Sequence, residues 1–186
     1  MYGFELKWDV GTIVTGFGFL FACLSFYWQG RRDTRNKRRE IYQNLELASV
    51  DIFRFEAQNS TIVEKVWFAG KLPKKGTVEY ETVRAYVYQI LNLFEMAVRF
   101  RRQGIMPNDV FGSWVIWFYD LCSAPGFSAL WPDMRWNYLP ELREILTEGL
   151  TITSRHDAEA ARQKFFEFMA TQFRDKSIRL WLTERH

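Results

Sequence analysis

Apolar positions follow two different patterns along this chain. From Val10 to Trp28 nineteen residues pass without a charge (VGTIVTGFGFLFACLSFYW). Beyond residue 40, apolar residues instead recur at spacings of three and four, the period of a helix with one buried face. Ile41, Leu45, Ala48, Ile52 and Phe55 form the first such stripe. Thr61 and Glu64 have capping-box spacing, Gly70 reads as a stop, and KLPKKG (71–76) reads as a solvated loop. Thr77 is placed to cap the next helix, with Val83, Val87, Ile90, Phe94 and Ala97 as its buried face. Gly104 ends it after Arg101 and Arg102, cations that suit the negative end of a helix dipole. The run 110–122 (VFGSWVIWFYDLC) is apolar on nearly all sides but too short to span a bilayer. It reads as a central buried helix, with a helix lying on the membrane surface as the alternative. Pro125 and Pro140 mark first helical positions. Final helical segments are expected over 155–174 and 176–184, with Ala158, Ala161, Phe165, Phe168 and Met169 facing inward. No strand-like alternation competes, so the predicted class is all-α.

A helix over Val10–Trp28 rises about 28 Å, enough to cross a hydrocarbon core. Trp8 precedes it and Tyr27 and Trp28 close it, as the aromatic belts of a membrane span require. A core helix rarely runs so long without a charge. A cleaved signal peptide fits badly, because residues 1–9 contain Glu5 and Asp9 beside Lys7, and the run ends in Phe26, Tyr27 and Trp28 instead of small residues. The predicted organisation is a short extracytoplasmic N-terminus (1–9), a single transmembrane helix (10–28), a basic juxtamembrane segment (29–40) and a cytoplasmic helical bundle (41–186).

Charge distribution sharpens this reading. Arg31, Arg32, Arg35, Lys37, Arg38 and Arg39 stand against one acid, Asp33, making that stretch +5 and leaving −2 for the rest of a chain whose formal charge is +3. Six cations after the run and one before it predict that the C-terminal side faces the cytoplasm. The same block attracts anionic lipid headgroups, at about 1 kcal/mol per residue near the surface. The plainer alternative is a topology signal alone. A nucleic-acid partner is not expected, since a coating protein spreads its charge more widely. Composition adds that Pro and Gly are scarce (5 and 11) and aromatics abundant (18%), which favours helices with a Phe- and Trp-rich core or a membrane interface.

Within the uncharged run, Gly11, Thr15, Gly18, Ala22 and Ser25 recur at spacings of four and three. Such a small-residue stripe lets a second helix approach closely, from an integral membrane partner or another copy of the chain. The alternative is chance, because Gly and Ala are common in membrane helices. Val14, Phe17, Phe21, Leu24 and Trp28 repeat the spacing with bulky residues.

Candidate chemistry is sparse. The two histidines, His156 and His186, have no partner implied by spacing, and Cys23 and Cys122 make no metal-ligand pattern. No Gly-rich phosphate loop appears. Glu95 and Asp120 are candidates for proton work, but pairing with an arginine such as Arg99 or Arg135 is the plainer role. Trp131, Arg135, Trp136 and Tyr138 are the one candidate ligand pocket, with core and rim packing as the alternative. No catalytic residue, metal or cofactor is expected.

The segments LNLFEMAVRFRRQGI (91–105) and WPDMRWNYLPELREIL (131–146), following an anchor and a basic stop, resemble a loose bacterial family of membrane-anchored helical proteins of unknown function. The resemblance implies the same architecture and brings no catalytic residues. The expected function is that of a non-catalytic accessory or assembly subunit of a larger membrane complex, with photosynthetic or respiratory complexes as possible hosts. The alternative is a membrane-tethered sensor whose helical domain binds a ligand around residues 114–138.

Overall fold

A computed structural model describes the backbone of residues 10–68 and 71–180. Side chains are described for these residues except 10–24, 27, 30–35, 37, 38 and 109. The described residues form seven α-helices: α1 (Val10–Gln58), α2 (Ser60–Trp67), α3 (Val78–Arg102), α4 (Asn108–Ser123), α5 (Pro125–Met134), α6 (Pro140–Arg155) and α7 (Ala158–Gln172). Two short 3-10 turns, Arg135–Asn137 and Lys176–Arg179, complete them, and no strand occurs among the described residues. The chain divides into two compact units, Met1–Ile41 and Tyr42–His186.

The first unit contains the beginning of α1. α1 covers the residues of the expected span, of the basic segment and of the first apolar stripe, and the division at Ile41–Tyr42 falls within it. Residues 31–40 are mostly Arg, Lys and Glu, good helix formers without a breaker among them. Of the side chains described here, Ser25, Phe26, Trp28, Gln29, Asn36, Arg39 and Glu40 are exposed. Among the described residues no helix is long and apolar enough to cross a membrane. The side chains of most of the expected span lie outside the described residues. So do those of Gly11, Thr15, Gly18 and Ala22 in the small-residue stripe, and of Arg31, Arg32, Arg35, Lys37 and Arg38 in the basic block.

The second unit is a helical bundle. Leu45, Ser49 and Ile52 bury one face of the last turns of α1. The helix ends at Asn59, whose φ of −130° and ψ of 50° leave the helical region and whose Nδ2 donates to the Phe55 carbonyl (2.9 Å). Asn59, not Thr61, occupies the N-cap of α2, and no side-chain capping bond forms. The expected Thr61–Glu64 box is displaced because the Asn59 carbonyl already takes the Ile62 and Val63 amides. Gly70 lies outside the described residues. Three elements meet at Tyr86 of α3. Its hydroxyl donates to the Glu56 carboxylate of α1 and accepts from Trp67 Nε1 of α2 (2.8 Å), while Phe55 stacks on its ring. Burial, and then the bond to Glu56, push the Tyr86 phenol far above its ordinary range.

The central elements follow the pattern of the sequence closely. Thr77 Oγ1 accepts from the Tyr80 amide (3.2 Å), and Val83, Val87, Ile90, Phe94 and Ala97 are all buried. Gly104 closes α3 with a φ of +65°, a backbone that glycine adopts without strain. α4 is the central helix, packing against α3, α5, α6, α7 and the Lys176–Arg179 turn. Phe94 stacks on its Phe118 with centroids 4.0 Å apart. Pro125 and Pro140 both sit in the first turn of their helices. Two glycines permit close crossings: a Cβ on Gly126 would lie 2.2 Å from the Lys65 carbonyl, and one on Gly149 would lie 2.5 Å from Cys122 Sγ.

At the C-terminal end Asp157 caps α7 by accepting from the Ala160 amide (2.9 Å). Ala161, Phe165 and Met169 are buried and Phe168 is half-buried. Ala158 is exposed, contrary to the inward pattern, because as the first residue after the cap it begins α7 at the bundle's edge. Of the expected last helical segment, 176–184, the described part begins with the 3-10 turn Lys176–Arg179, and residues 181–184 lie outside the described residues. Asp175 anchors the turn, accepting from the Ser177 amide (3.0 Å), the Ser177 hydroxyl (2.6 Å) and Arg101 Nη2 (2.8 Å). Burial works to raise the Asp175 carboxyl, but the Ser177 and Arg101 bonds outweigh it and hold the group below its ordinary range. Arg102 meets the Glu141 carboxylate, donates to the Gln172 carbonyl (3.0 Å) and lies over the Phe173 ring. The two cations at the end of α3 thus tie it to α6, to α7 and to the segment after α7.

Candidate functional site

Two clefts open beside α4 in the second unit. The first lies between α1 and α4 and has a volume of about 350 Å³. Phe53 of α1 and Trp114 and Trp117 of α4 line it. Their rings form one aromatic surface, with Phe53 and Trp114 each within 6 Å of Trp117 (5.4 and 5.6 Å between centroids). Phe94 of α3 supports it edge-on from below (5.2 Å). Ser49 and Ser113 also reach the cleft, but both hydroxyls donate to local carbonyls, of Glu46 and Val110. Two carboxylates, Glu46 and Asp120, edge the cleft, and no Lys or Arg lines it among the described residues. The Tyr42 hydroxyl donates to Glu46. Next to the cleft Leu47, Val50 and Phe53 of α1 are 63%, 47% and 52% exposed.

The second cleft is larger, about 650 Å³, and lies where α4 ends and α5, α6 and α7 meet. Its walls carry many hydroxyls. Those of Tyr119, Ser123, Ser128, Thr153 and Ser154 donate respectively to the carbonyls of Ala158, Tyr119, Pro125, Cys122 and Thr151, at 2.8 to 3.0 Å. His156, half-buried after the end of α6, has no hydrogen bond to a hydroxyl or thiol among the described residues. Burial pushes the Cys122 thiol far up, so it stays protonated and behaves as a core side chain.

The four residues singled out as a ligand pocket divide between core and surface. Trp131 and Tyr138 are buried and stack on each other (6.3 Å), with Trp131 Nε1 donating to Thr147 Oγ1 (3.1 Å). Burial raises the Tyr138 phenol. Trp136 is 67% exposed, with the Arg135 and Arg143 guanidiniums 4.5 and 5.2 Å from its ring. Neither cleft is lined by any of the four. Glu95 pairs with Arg99 (3.8 Å) and accepts from the Leu139 amide (2.9 Å). Ser25 and Arg39 are exposed on α1, and Asp120 stands at the rim of the aromatic cleft. Sequence reasoning missed Glu46, Phe53 and the exposed Leu47 and Val50. The available signal was that Leu47 and Val50 are apolar yet lie off the Leu45–Ile52 stripe. Among the described residues no group of three or more His, Cys, Asp or Glu is placed to hold a metal ion.

Comparison with protein-family models, with curated proteins and with solved structures finds no match to this chain.

Proposed function

We propose that the chain is a non-catalytic accessory or assembly subunit of a larger membrane protein complex, held in the inner membrane by Val10–Trp28 with its N-terminus outside and its helical domain in the cytoplasm. The observation that carries this reading is the uncharged nineteen-residue run, closed by aromatics and followed by six cations. The backbone of α1 is helical from Val10 onward, as a span requires. The small-residue stripe is the proposed contact with a partner's transmembrane helix or a second copy, and the basic block the contact with anionic headgroups. The likeness to a loose bacterial family of anchored helical proteins belongs to the same reading. The hydroxyls of the larger cleft are bonded to backbone carbonyls, which suits a wall of the bundle. Photosynthetic and respiratory complexes are possible hosts.

Purification from native membranes in mild detergent tests this. The expected result is a stoichiometric set of integral membrane partners, lost with Gly18→Ile and kept with Phe21→Leu. A lone monomer in both cases overturns it. A membrane-tethered sensor is the second reading, favoured by one observation: both clefts have walls within residues 114–138. A small molecule co-purifying in place of protein partners supports that alternative.

A further inference from the structure

Trp136 is exposed, and two cations lie against its ring: the guanidiniums of Arg135 and Arg143, 4.5 and 5.2 Å from its centre. They come from different elements, the 3-10 turn Arg135–Asn137 and α6, so the fold itself gathers two like charges on one indole. Neither guanidinium has an ion pair among the described residues, and the Nε of each is buried without a hydrogen-bond partner. The acids around them are committed elsewhere. Asp133 pairs with Lys75, Glu141 with Arg102 and Glu95 with Arg99, while Glu144 accepts from the side-chain amide of Gln172 on α7. Arg101, by contrast, meets a buried carboxylate and holds the bundle together. A guanidinium stacked on an indole has its flat face covered and its N–H edge available to an oxyanion. Leu139, three residues after Trp136, is also exposed, so apolar surface adjoins the two charges. Both arginines, Trp136 and Leu139 line neither cleft, and a small free anion would find no enclosure here. Cations beside an open indole instead match a surface that presents anions at the edge of an apolar phase, where Trp is favoured. We propose that Arg135, Trp136, Leu139 and Arg143 form a contact with the anionic headgroups of a lipid bilayer. The guanidiniums meet phosphates, and the indole and Leu139 enter the headgroup layer. The proposal rests on the membrane-subunit reading, in which residues 10–28 hold the chain at a leaflet that carries anionic lipid.

The test uses the full chain carrying fluorotryptophan, in nanodiscs of phosphatidylcholine alone or mixed with phosphatidylglycerol. The fluorine resonance of Trp136 is identified by its loss in Trp136→Phe. A spin label on the lipid headgroup is expected to broaden that resonance severalfold more in the anionic discs, and high salt to remove the difference. Arg135→Gln with Arg143→Gln is expected to abolish it. Circular dichroism checks the fold of the double variant, and the comparison of the two lipids on the unmodified chain stands without it. Equal broadening in the two lipids, or a difference kept by a folded double variant, overturns the proposal. So does inorganic phosphate that shifts the resonance in phosphatidylcholine discs as far as phosphatidylglycerol does, which assigns the arginines to a soluble anion. Failure of the membrane reading gives a different result: the chain does not enter the discs, and the same resonance is then followed against vesicles of the two compositions.

Discussion

The two clefts flank the same helix and differ in what their side chains are committed to. In the larger one every hydroxyl named above donates to a nearby carbonyl, a glycine brings α6 against α4, and the thiol at the contact is buried and neutral. In the smaller one half-buried Trp117 packs between Phe53, Trp114 and Phe94, two carboxylates stand at its edge, and Leu47, Val50 and Phe53 of α1 are about half or more exposed. The hydroxyls of the larger cleft are bonded to backbone carbonyls of the bundle, whereas the smaller one is lined chiefly by aromatic rings. Substitutions around the first should cost stability, and substitutions at the exposed residues beside the second should cost little.

The largest effect is expected at Gly149. Its missing Cβ would stand 2.5 Å from Cys122 Sγ and 2.8 Å from the Phe165 ring, both deep in the core. Gly149→Ala should therefore destabilise by about 3 kcal/mol, the upper end of typical overpacking costs. Urea unfolding followed by near-ultraviolet circular dichroism measures this, and an unchanged midpoint would mean that the wall yields. Asp175→Asn should follow at about 2 kcal/mol, since it weakens a charge-assisted bond to Arg101 inside the bundle. The pH dependence has a definite sign. A carboxyl held below its unfolded value of about 3.9 contributes its full stability above that pH and loses it as pH falls through the depressed folded value. Acid unfolding of the unmodified chain should carry this loss below about pH 4, and the Asn variant should lack it.

Smaller effects sharpen the contrast. Thr153→Val removes hydroxyl bonds to the Cys122 and Leu150 carbonyls, at a cost of about 1 kcal/mol. Leu47→Ser with Val50→Ser removes only exposed apolar surface and should stay within about 0.5 kcal/mol of the unmodified chain. A large loss of stability in this double variant would show that Leu47 and Val50 belong to the fold, and the distinction between the two clefts would fall.

Much of the bundle was legible because its helices keep one periodicity and clean punctuation. The Thr77 cap, the Val83–Ala97 face, Gly104 and the two first-turn prolines all lie where local chemistry puts them. Where expectation failed, long-range packing decided. The Arg101–Asp175 pair joins residues 74 apart, and nothing local to Asp175 announces an arginine partner. Trp131 and Trp136 are five residues apart in similar sequence surroundings, yet only Trp131 meets the bundle, and that choice is made by the turn at Arg135–Asn137. The aromatic cleft was hidden because Glu46 and Trp117 come together only when α1 packs beside α4.

Extraction of native membranes with alkaline carbonate distinguishes a chain anchored by residues 10–28 from one held only at the surface. Peripheral proteins leave the bilayer under these conditions and integral ones remain. The unmodified chain is predicted to stay in the membrane pellet, and a chain lacking residues 10–28 to appear in the supernatant. Release of the unmodified chain into the supernatant would contradict the account.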